Sequence, residues 1–324
     1  MTHAIRIHEH GGPEVMKWEA VEVGAPSDNE VRLRHTAVGV NFIDIYHRTG
    51  LYKIPLPAVL GREGAGVIEA VGANVTGLKV GDRVAYGAAP LGSYSEARLI
   101  PADRVVSVPA NVTDQQAASI MLKGMTAQYL LKRSYAVKAG DTILVHAAAG
   151  GVGLILCQWA KSLGVTVIGT VGSEEKGRLA KAHGCDFVIN YSTEDFAARV
   201  AEITSGKKCA AVYDGVGKDT FLKSLDCLRP RGVMASFGNA SGKVEPFDLG
   251  ILAAKGSLYV TRPTLDTHVA TREDLVATAN DLFDVVGRGI VKVEINQTYA
   301  LKDAAEAHRD LAARKTTGST VLLP

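Results

Sequence analysis

A glycine-rich turn between an apolar strand and a helix constrains this chain more than any other feature. The segment His146-Ala147-Ala148-Ala149-Gly150-Gly151-Val152-Gly153 follows the apolar run Thr142-Ile143-Leu144-Val145 and opens a helix read over 153–163. Glycines there let the backbone turn tightly and let a pyrophosphate approach the helix N-terminus. Free N–H groups and the positive end of the helix dipole then meet the anion. The turn reads A-x-x-G-x-x-G from Ala147 to Gly153, with Ala148 where G-x-G-x-x-G has its first glycine. Such a spacing alone is weak, and its surroundings give it weight.

Those surroundings are repeated strand–helix units. Strands are read over 142–146, 165–168, 186–189, 211–214, 232–237 and 258–260, with helices over 174–183 and 194–204. Short apolar strands alternating with such helices predict a doubly wound parallel sheet covered on both faces.

The flanks have another texture. Residues 1–122 are rich in strand and turn patterns, such as Val31-Arg32-Leu33-Arg34-His35-Thr36-Ala37-Val38 and the glycine-bounded Gly66-Val67-Ile68-Glu69-Ala70-Val71-Gly72. Seven prolines, at 13, 26, 55, 57, 90, 101 and 109, argue against long helices there. A helix opens near Asp114, capped by Thr113 or Asp114, and a separate one is read over 126–135. Beyond residue 265 come helices over 272–287 and 302–314 and a strand over 318–322. A length of 324 residues fits two domains.

Composition excludes several classes. A net charge of +2 without a basic run argues against a nucleic-acid partner. No window of 18 uncharged apolar residues exists, and the opening Met1-Thr2-His3-Ala4-Ile5-Arg6-Ile7 is too polar for a signal peptide, so a soluble cytoplasmic protein is expected. Cys157, Cys185, Cys209 and Cys227 form no C-x-x-C pair, which fits free thiols and no structural zinc site.

The second strand of the unit carries the coenzyme preference. Sites for NAD place an acid about 20 residues after the turn, on the ribose 2′-hydroxyl. Here the strand ends Gly169-Thr170-Val171-Gly172-Ser173 with no acid at its tip, and Lys176 follows. A missing carboxylate removes repulsion towards a 2′-phosphate, and a lysine adds attraction, so NADPH is favoured over NADH. Glu174 and Glu175 weigh slightly against this preference, unless they serve only to complement the helix N-terminus.

With these motifs in view, the chain resembles the zinc-free quinone oxidoreductases of the medium-chain dehydrogenase/reductase superfamily along its whole length. The resemblance is carried by Asn41-Phe42-Ile43-Asp44-Ile45-Tyr46, Gly61-Arg62-Glu63-Gly64-Ala65-Gly66, the turn at 146–153, Ser236-Phe237-Gly238-Asn239 and Leu258-Tyr259-Val260-Thr261-Arg262-Pro263. It implies an α/β chain with a GroES-like, mostly-β catalytic domain over 1–122 and 265–324, interrupted by a Rossmann NADPH-binding domain over 123–264. It also implies a homodimer. Zinc-dependent relatives carry a cysteine and a histidine where this chain looks to have Asn41 and Arg62. No metal ligands are therefore expected.

Further NADPH contacts follow from the same resemblance. Beside Gly150 and Gly153 of the turn, and Ser173 at the strand tip, it implies Thr126, Gly151, Val152, Gly172 and Lys176. It adds Tyr191, Val216, Phe237, Gly238, Arg262 and Lys315. Asn41 is placed at the nicotinamide ribose or the substrate.

A quinone suits a site without a Lewis acid. It is electron-poor, and hydride addition gives an aromatic hydroquinone anion, so positioning and hydrogen-bond donors supply the catalysis. The candidates are Asn41, Tyr46 and Tyr52, with Asp44 orienting its neighbours. His47 is expected at the surface, and Arg62 in an ion pair with Glu63 or Asp44. The rival readings are an NADPH-dependent reductase of enones, alkenals or enoyl thioesters, and a non-catalytic RNA-binding or structural protein. Replacing Lys176 by alanine is predicted to raise the Michaelis constant for NADPH while hardly changing that for NADH. Steady-state kinetics with both coenzymes decide it, and equal effects would remove Lys176 from the 2′-phosphate.

Overall fold

The computed structural model describes residues 1–324. The chain forms two compact units, one of Met1–Met125, His268–Gly287 and Val293–Pro324, the other of Thr126–Thr267 and Arg288–Lys292. The sequence pattern predicts divisions after residues 122 and 264, with everything beyond 264 in the first unit. The short return at 288–292 has a visible cause. The Gln158 amide donates to the Lys292 carbonyl at 3.1 Å and accepts from the Lys292 N–H at 2.9 Å.

The first unit opens with β1 (Thr2–Ile7), β2 (Lys17–Val21), β3 (Glu30–Val40), α1 (Phe42–Thr49), β4 (Ala58–Val59), β5 (Glu63–Val71), β6 (Arg83–Tyr86), β7 (Ala97–Pro101) and β8 (Val106–Ser107). Then α2 (Asp114–Tyr129) runs across the division. The second unit continues with β9 (Thr142–Val145), α3 (Gly151–Ser162), β10 (Thr166–Val171), α4 (Glu174–Ala182), β11 (Phe187–Asn190), α5 (Phe196–Ile203) and β12 (Cys209–Asp214). It ends with α6 (Phe221–Ser224), β13 (Leu228–Ser236), α7 (Gly250–Ala254), β14 (Tyr259–Thr261) and α8 (Leu265–His268). The first unit is completed by α9 (Arg272–Gly287), β15 (Ile295–Ala300), α10 (Ala304–Ala312) and β16 (Ser319–Leu323).

In the second unit six parallel strands lie in the order β11-β10-β9-β12-β13-β14. Every residue of β12 is buried, as both-face coverage requires. Leu144, Ile168, Ile189, Val212 and Met234 from neighbouring strands pack with Phe196, Val200, Phe221 and Leu225 from the helices. The chain order reverses between β9 and β12, so loops leaving the carboxyl ends of these strands diverge to either side.

In the first unit a sheet runs β15-β16-β3-β5-β6-β8, with β7 paired to β3, and a small sheet runs β2-β1-β4. The eleven residues of β3 end in four consecutive buried positions, Ala37 to Val40, and deliver Asn41 to the start of α1. The sequence reading missed α1. Its eight residues stop at Gly50, whose φ of 78° ends the helix in the left-handed region, among prolines that pointed to irregular chain. The two helices read on either side of residue 126 are one element continued by a π-helical stretch, Leu130–Ser134. Its start is capped as anticipated at Thr113. The Gln116 N–H donates to Thr113 Oγ1 at 3.2 Å and the Thr113 N–H to Gln116 Oε1 at 2.9 Å.

One close approach fixes how β3, β5 and α2 meet. Gly39 pairs with Glu63, and a Cβ at Gly39 would stand 2.2 Å from the Ala118 carbonyl oxygen and 2.3 Å from Glu63 Oε2. Gly39→Ala is predicted to lower stability by about 1–3 kcal/mol, the usual range for overpacking a filled interior. Urea unfolding reads it, and an unchanged midpoint would mean that Glu63 and α2 yield without cost.

Candidate active site

The candidate residues fall into two sets, one in each unit. In the second unit nearly all of them lie just beyond the carboxyl ends of the parallel strands. After β9 comes the glycine turn, where Ala147 has a φ of 53° and the Gly150 N–H donates to the Ala147 carbonyl at 2.9 Å. Gly150 caps α3 with no side-chain cap, so the N–H groups of Gly151, Val152 and Gly153 head the helix. Gly153 is required sterically, because a Cβ there would lie 2.4 Å from the Ala147 oxygen and 2.7 Å from the Ala148 oxygen.

After β10 come Gly172, Ser173 and, within the first turn of α4, Lys176. The Ser173 hydroxyl caps the helix by accepting from the Lys176 N–H at 3.3 Å. After β11 stands Tyr191, an exposed tyrosine whose hydroxyl oxygen would lie 2.6 Å from a Cβ on Gly172. Glycine at 172 thus leaves the tyrosine beside Ser173 and Lys176, in a group without a carboxylate at the strand tip. These side chains fit a phosphate monoester on a ribose, with an aromatic face for the base.

After β12 the chain makes a tight loop around Val216, closed by Asp214, a residue that the sequence showed only as the end of a strand. Asp214, fully buried, accepts from the N–H groups of Val216 at 2.7 Å and Gly217 at 3.1 Å and from the Thr220 hydroxyl. Gly238 lies against it, since a Cβ there would sit 2.3 Å from the Gly215 oxygen. Val216, Phe237 and Gly238 are thereby set side by side. Arg262, just past β14, donates to the Ser236 carbonyl at 2.6 Å. Thr126 is buried on α2. Lys315 belongs to the first unit, where its ammonium pairs with Asp310 at 3.2 Å.

In the first unit the candidates run from the cap of α1, along the helix, to just past its end. Tyr46 and Tyr52 meet edge to face at 5.2 Å between ring centroids, with Phe42 and His47 adjoining at 6.0 and 6.1 Å. His47 was expected at the surface but is buried, because its ring packs on Tyr52. Asp44 is wholly buried, and its Oδ2 accepts from the Asn41 N–H at 2.8 Å and the Tyr94 hydroxyl at 3.0 Å.

Behind Asp44 lies a directional chain. An arginine can only donate, so the Arg48 guanidinium donates to His308 Nδ1 at 3.1 Å, and His308 Nε2 then donates to the Tyr94 oxygen at 2.9 Å. Burial, with the Arg48 charge beside it, depresses the His308 imidazole to about 3, which keeps it neutral. Burial raises the Asp44 carboxyl to about 7, against the opposing pull of the Asn41 N–H, the Tyr94 hydroxyl and the Lys123 charge.

Lys123, which the sequence did not single out, completes this set. Glu63 is fully buried, and its partner is Lys123 of α2, at 2.7 Å, rather than the Arg62 expected from the sequence. The same oxygen, Oε2, accepts from Asn41 Nδ2 at 2.8 Å, while Oε1 accepts from the Leu122 N–H at 2.8 Å. The available signal was a lone charge within the apolar run Ile120-Met121-Leu122-Lys123-Gly124-Met125. Asn41 and Arg62 bring an amide and a guanidinium, neither of them among the usual ligands of zinc.

Comparison with known proteins agrees with this architecture. Residues 27–110 match the family described as alcohol dehydrogenase GroES-like domain, and residues 151–277 match that described as zinc-binding dehydrogenase. A quinone oxidoreductase of Pseudomonas aeruginosa is 56% identical over 325 residues, covering all of both chains. The crystal structure of Escherichia coli quinone oxidoreductase complexed with NADPH is 49% identical, covers all of both chains and superposes with a TM-score of 0.98. A 2-haloacrylate reductase of a Burkholderia species is 49% identical, over 100% of this chain and 99% of that one. The fold is thus that of the two-domain medium-chain dehydrogenases and reductases. Within that class, the chain belongs to the quinone oxidoreductase family.

The Asp44 carboxyl generates a pH prediction. Its folded value of about 7 exceeds the usual carboxylate value, so the folded chain holds a proton that the unfolded chain has released. The stability this contributes is complete below about pH 4 and is lost as pH rises through about 7. Asp44→Asn keeps an acceptor for the Asn41 N–H but does not ionise. Its stability relative to the unaltered chain is predicted to increase between about pH 5 and about pH 8. Denaturant unfolding of both proteins at the two pH values measures this, and a constant difference would contradict it.

Proposed function

We propose that this chain reduces quinones with NADPH by hydride transfer and without a metal ligand set. The observation that carries the reading is full-length similarity, at 49–56% identity, to proteins named quinone oxidoreductase, one of them solved with NADPH. The residues beyond the strand ends support the coenzyme. The N–H groups of Gly151, Val152 and Gly153 bind the pyrophosphate, and Ser173, Lys176 and Tyr191 take the 2′-phosphate and adenine end. Asp214 holds the loop that presents Val216 beside Phe237 and Gly238, with Arg262 at the end of β14. Thr126 adds a buried hydroxyl. Lys315, already paired with Asp310, is the weakest member of the set.

When bound, NADPH supplies the hydride from its nicotinamide. The chain's own part is positioning and charge stabilisation. Tyr46 donates a hydrogen bond to the carbonyl oxygen that gains charge, and Tyr52 buttresses its ring. Asp44 orients the first turn of α1 through the Asn41 N–H. Asn41 contacts the coenzyme ribose or the substrate. An electron-poor quinone asks for little more, because the product is an aromatic hydroquinone.

We assign residues 1–125, 268–287 and 293–324 to the catalytic domain and 126–267 with 288–292 to the NADPH domain. A homodimer formed through the edge strand β14 is supported by the exposed Tyr259 and Val260 on that strand. Four free thiols, two of them 3.5 Å apart, fit the reducing cytoplasm. No helix is long and apolar enough to cross a membrane.

Two measurements test the proposal. Turnover of NADPH with 1,4-benzoquinone, an enone and 2-chloroacrylate is predicted to be fastest for the quinone. A faster rate with 2-chloroacrylate would favour the second reading, which the Burkholderia relative supports. Tyr46→Phe is predicted to lower kcat by about tenfold or more while leaving NADPH affinity within about twofold, since the donor acts on charge that develops only in the transition state. Equal losses in both would refute that role.

A further inference from the structure

Two buried charges next to Asn41 have no part in the mechanism above. Glu63 is 0% exposed and Lys123 5%, and a Cβ on Gly39 would collide with the carboxylate, so the site is built around the pair. Burying two charges is rarely a route to stability, because their desolvation offsets their attraction. What the pair accomplishes geometrically is specific. A carboxylate only accepts, and Glu63 Oε2 takes hydrogen bonds from Lys123 Nζ at 2.7 Å and Asn41 Nδ2 at 2.8 Å. The nitrogen end of the Asn41 amide therefore faces Glu63, and Oδ1 is turned towards the first turn of α1. The backbone of Asn41 is fixed independently, by its N–H donating to Asp44 at 2.8 Å. Oδ1 lies on the side of the Asp44 N–H in the capping box of α1, and with main chain and amide both held, Asn41 offers a bound molecule the remaining lone pair of that carbonyl oxygen.

We propose that Glu63, neutralised by Lys123, is the positioning residue of Asn41, and that the oriented Oδ1 receives a hydrogen bond from a ribose hydroxyl on the nicotinamide side of the coenzyme. The inference rests on the reading that Asn41 touches coenzyme or substrate, and it chooses between them. A quinone has only accepting oxygens, whereas a ribose has hydroxyl donors. Lys123 acts through Glu63: its ammonium donates to the same oxygen that receives the Asn41 amide and places a positive charge against the buried carboxylate.

The test compares two charge-free pairs, so neither leaves a lone buried ion. Glu63→Gln/Lys123→Met keeps an amide oxygen for Asn41, and Glu63→Met/Lys123→Met removes it. NADPH affinity is read by titrating coenzyme fluorescence with no quinone present, alongside thermal unfolding of the free protein and the Michaelis constant for 1,4-benzoquinone. Asn41→Ala and Glu63→Met/Lys123→Met should each weaken NADPH at least about fivefold, the worth of one hydrogen bond. Glu63→Gln/Lys123→Met should stay within about twofold of the unaltered protein, and so should the quinone Michaelis constant in all three.

Unchanged NADPH affinity in Asn41→Ala would sink the reading of Asn41 itself. A loss in Asn41→Ala with none in Glu63→Met/Lys123→Met would sink only the positioning role. A lowered melting temperature with intact affinity would make the pair purely structural, and a raised quinone Michaelis constant would turn the amide towards the substrate instead. Should Glu63→Met/Lys123→Met not fold, Lys123→Met with and without Asn41→Ala decides. Lys123→Met must weaken NADPH only while Asn41 is present, and independent losses overturn the proposal.

Discussion

Burial of a parallel sheet on both faces is the constraint from which the coenzyme half of this protein follows. Strands such as β12, buried at every position, leave no room for function along their length. Polar and glycine residues are therefore displaced to the loops beyond the strand ends. Because all six strands run the same way, those loops share one edge. Segments more than a hundred residues apart in sequence, from Gly150 to Arg262, converge there without contacting one another in the chain. The glycines are steric conditions of that convergence. Gly153 lets α3 begin against the Ala147 carbonyl, and Gly238 lets the ends of β12 and β13 approach.

The first unit solves a different problem, that of holding polar groups in a fixed orientation within an apolar interior. It does so with charges and directional hydrogen bonds in place of a metal ligand set. One chain runs from Arg48 through His308 and Tyr94 to Asp44, and another from Lys123 through Glu63 to Asn41. Both end within the segment Asn41–Asp44. A neutral histidine and an elevated carboxyl are the electrostatic consequences of excluding water from the first chain. In the second, one carboxylate oxygen receives both the Lys123 ammonium and the Asn41 amide. The first turn of α1 is thus set from two directions before any ligand arrives.

The two halves were unequally legible in the sequence. The parallel sheet, its helices and the turn at 146–153 carried strong local signals, because fully buried strands and glycine turns are written in consecutive residues. Lys176 and Ser173 were legible for the same reason, standing at a strand tip where an acid was conspicuously missing. The helix α1 was not, since eight residues among prolines give no periodic stretch long enough to recognise. Nor were His47, whose burial depends on Tyr52 arriving from beyond the helix, or Asp214, whose loop-closing role appears only once Val216, Gly217 and Thr220 fold back on it.

The sequence by itself determined the class of fold and the preference for NADPH. Each depends on neighbouring residues and on the periodicity of burial, which a linear chain displays. The tertiary structure alone decided which charge answers which. Arg62 adjoins Glu63 in sequence, yet Lys123, sixty residues on, is its partner, because β5 and α2 are packed together where Gly39 leaves space. Partnership between buried charges is settled by distance and desolvation in the folded interior, and neither quantity exists until the chain has folded.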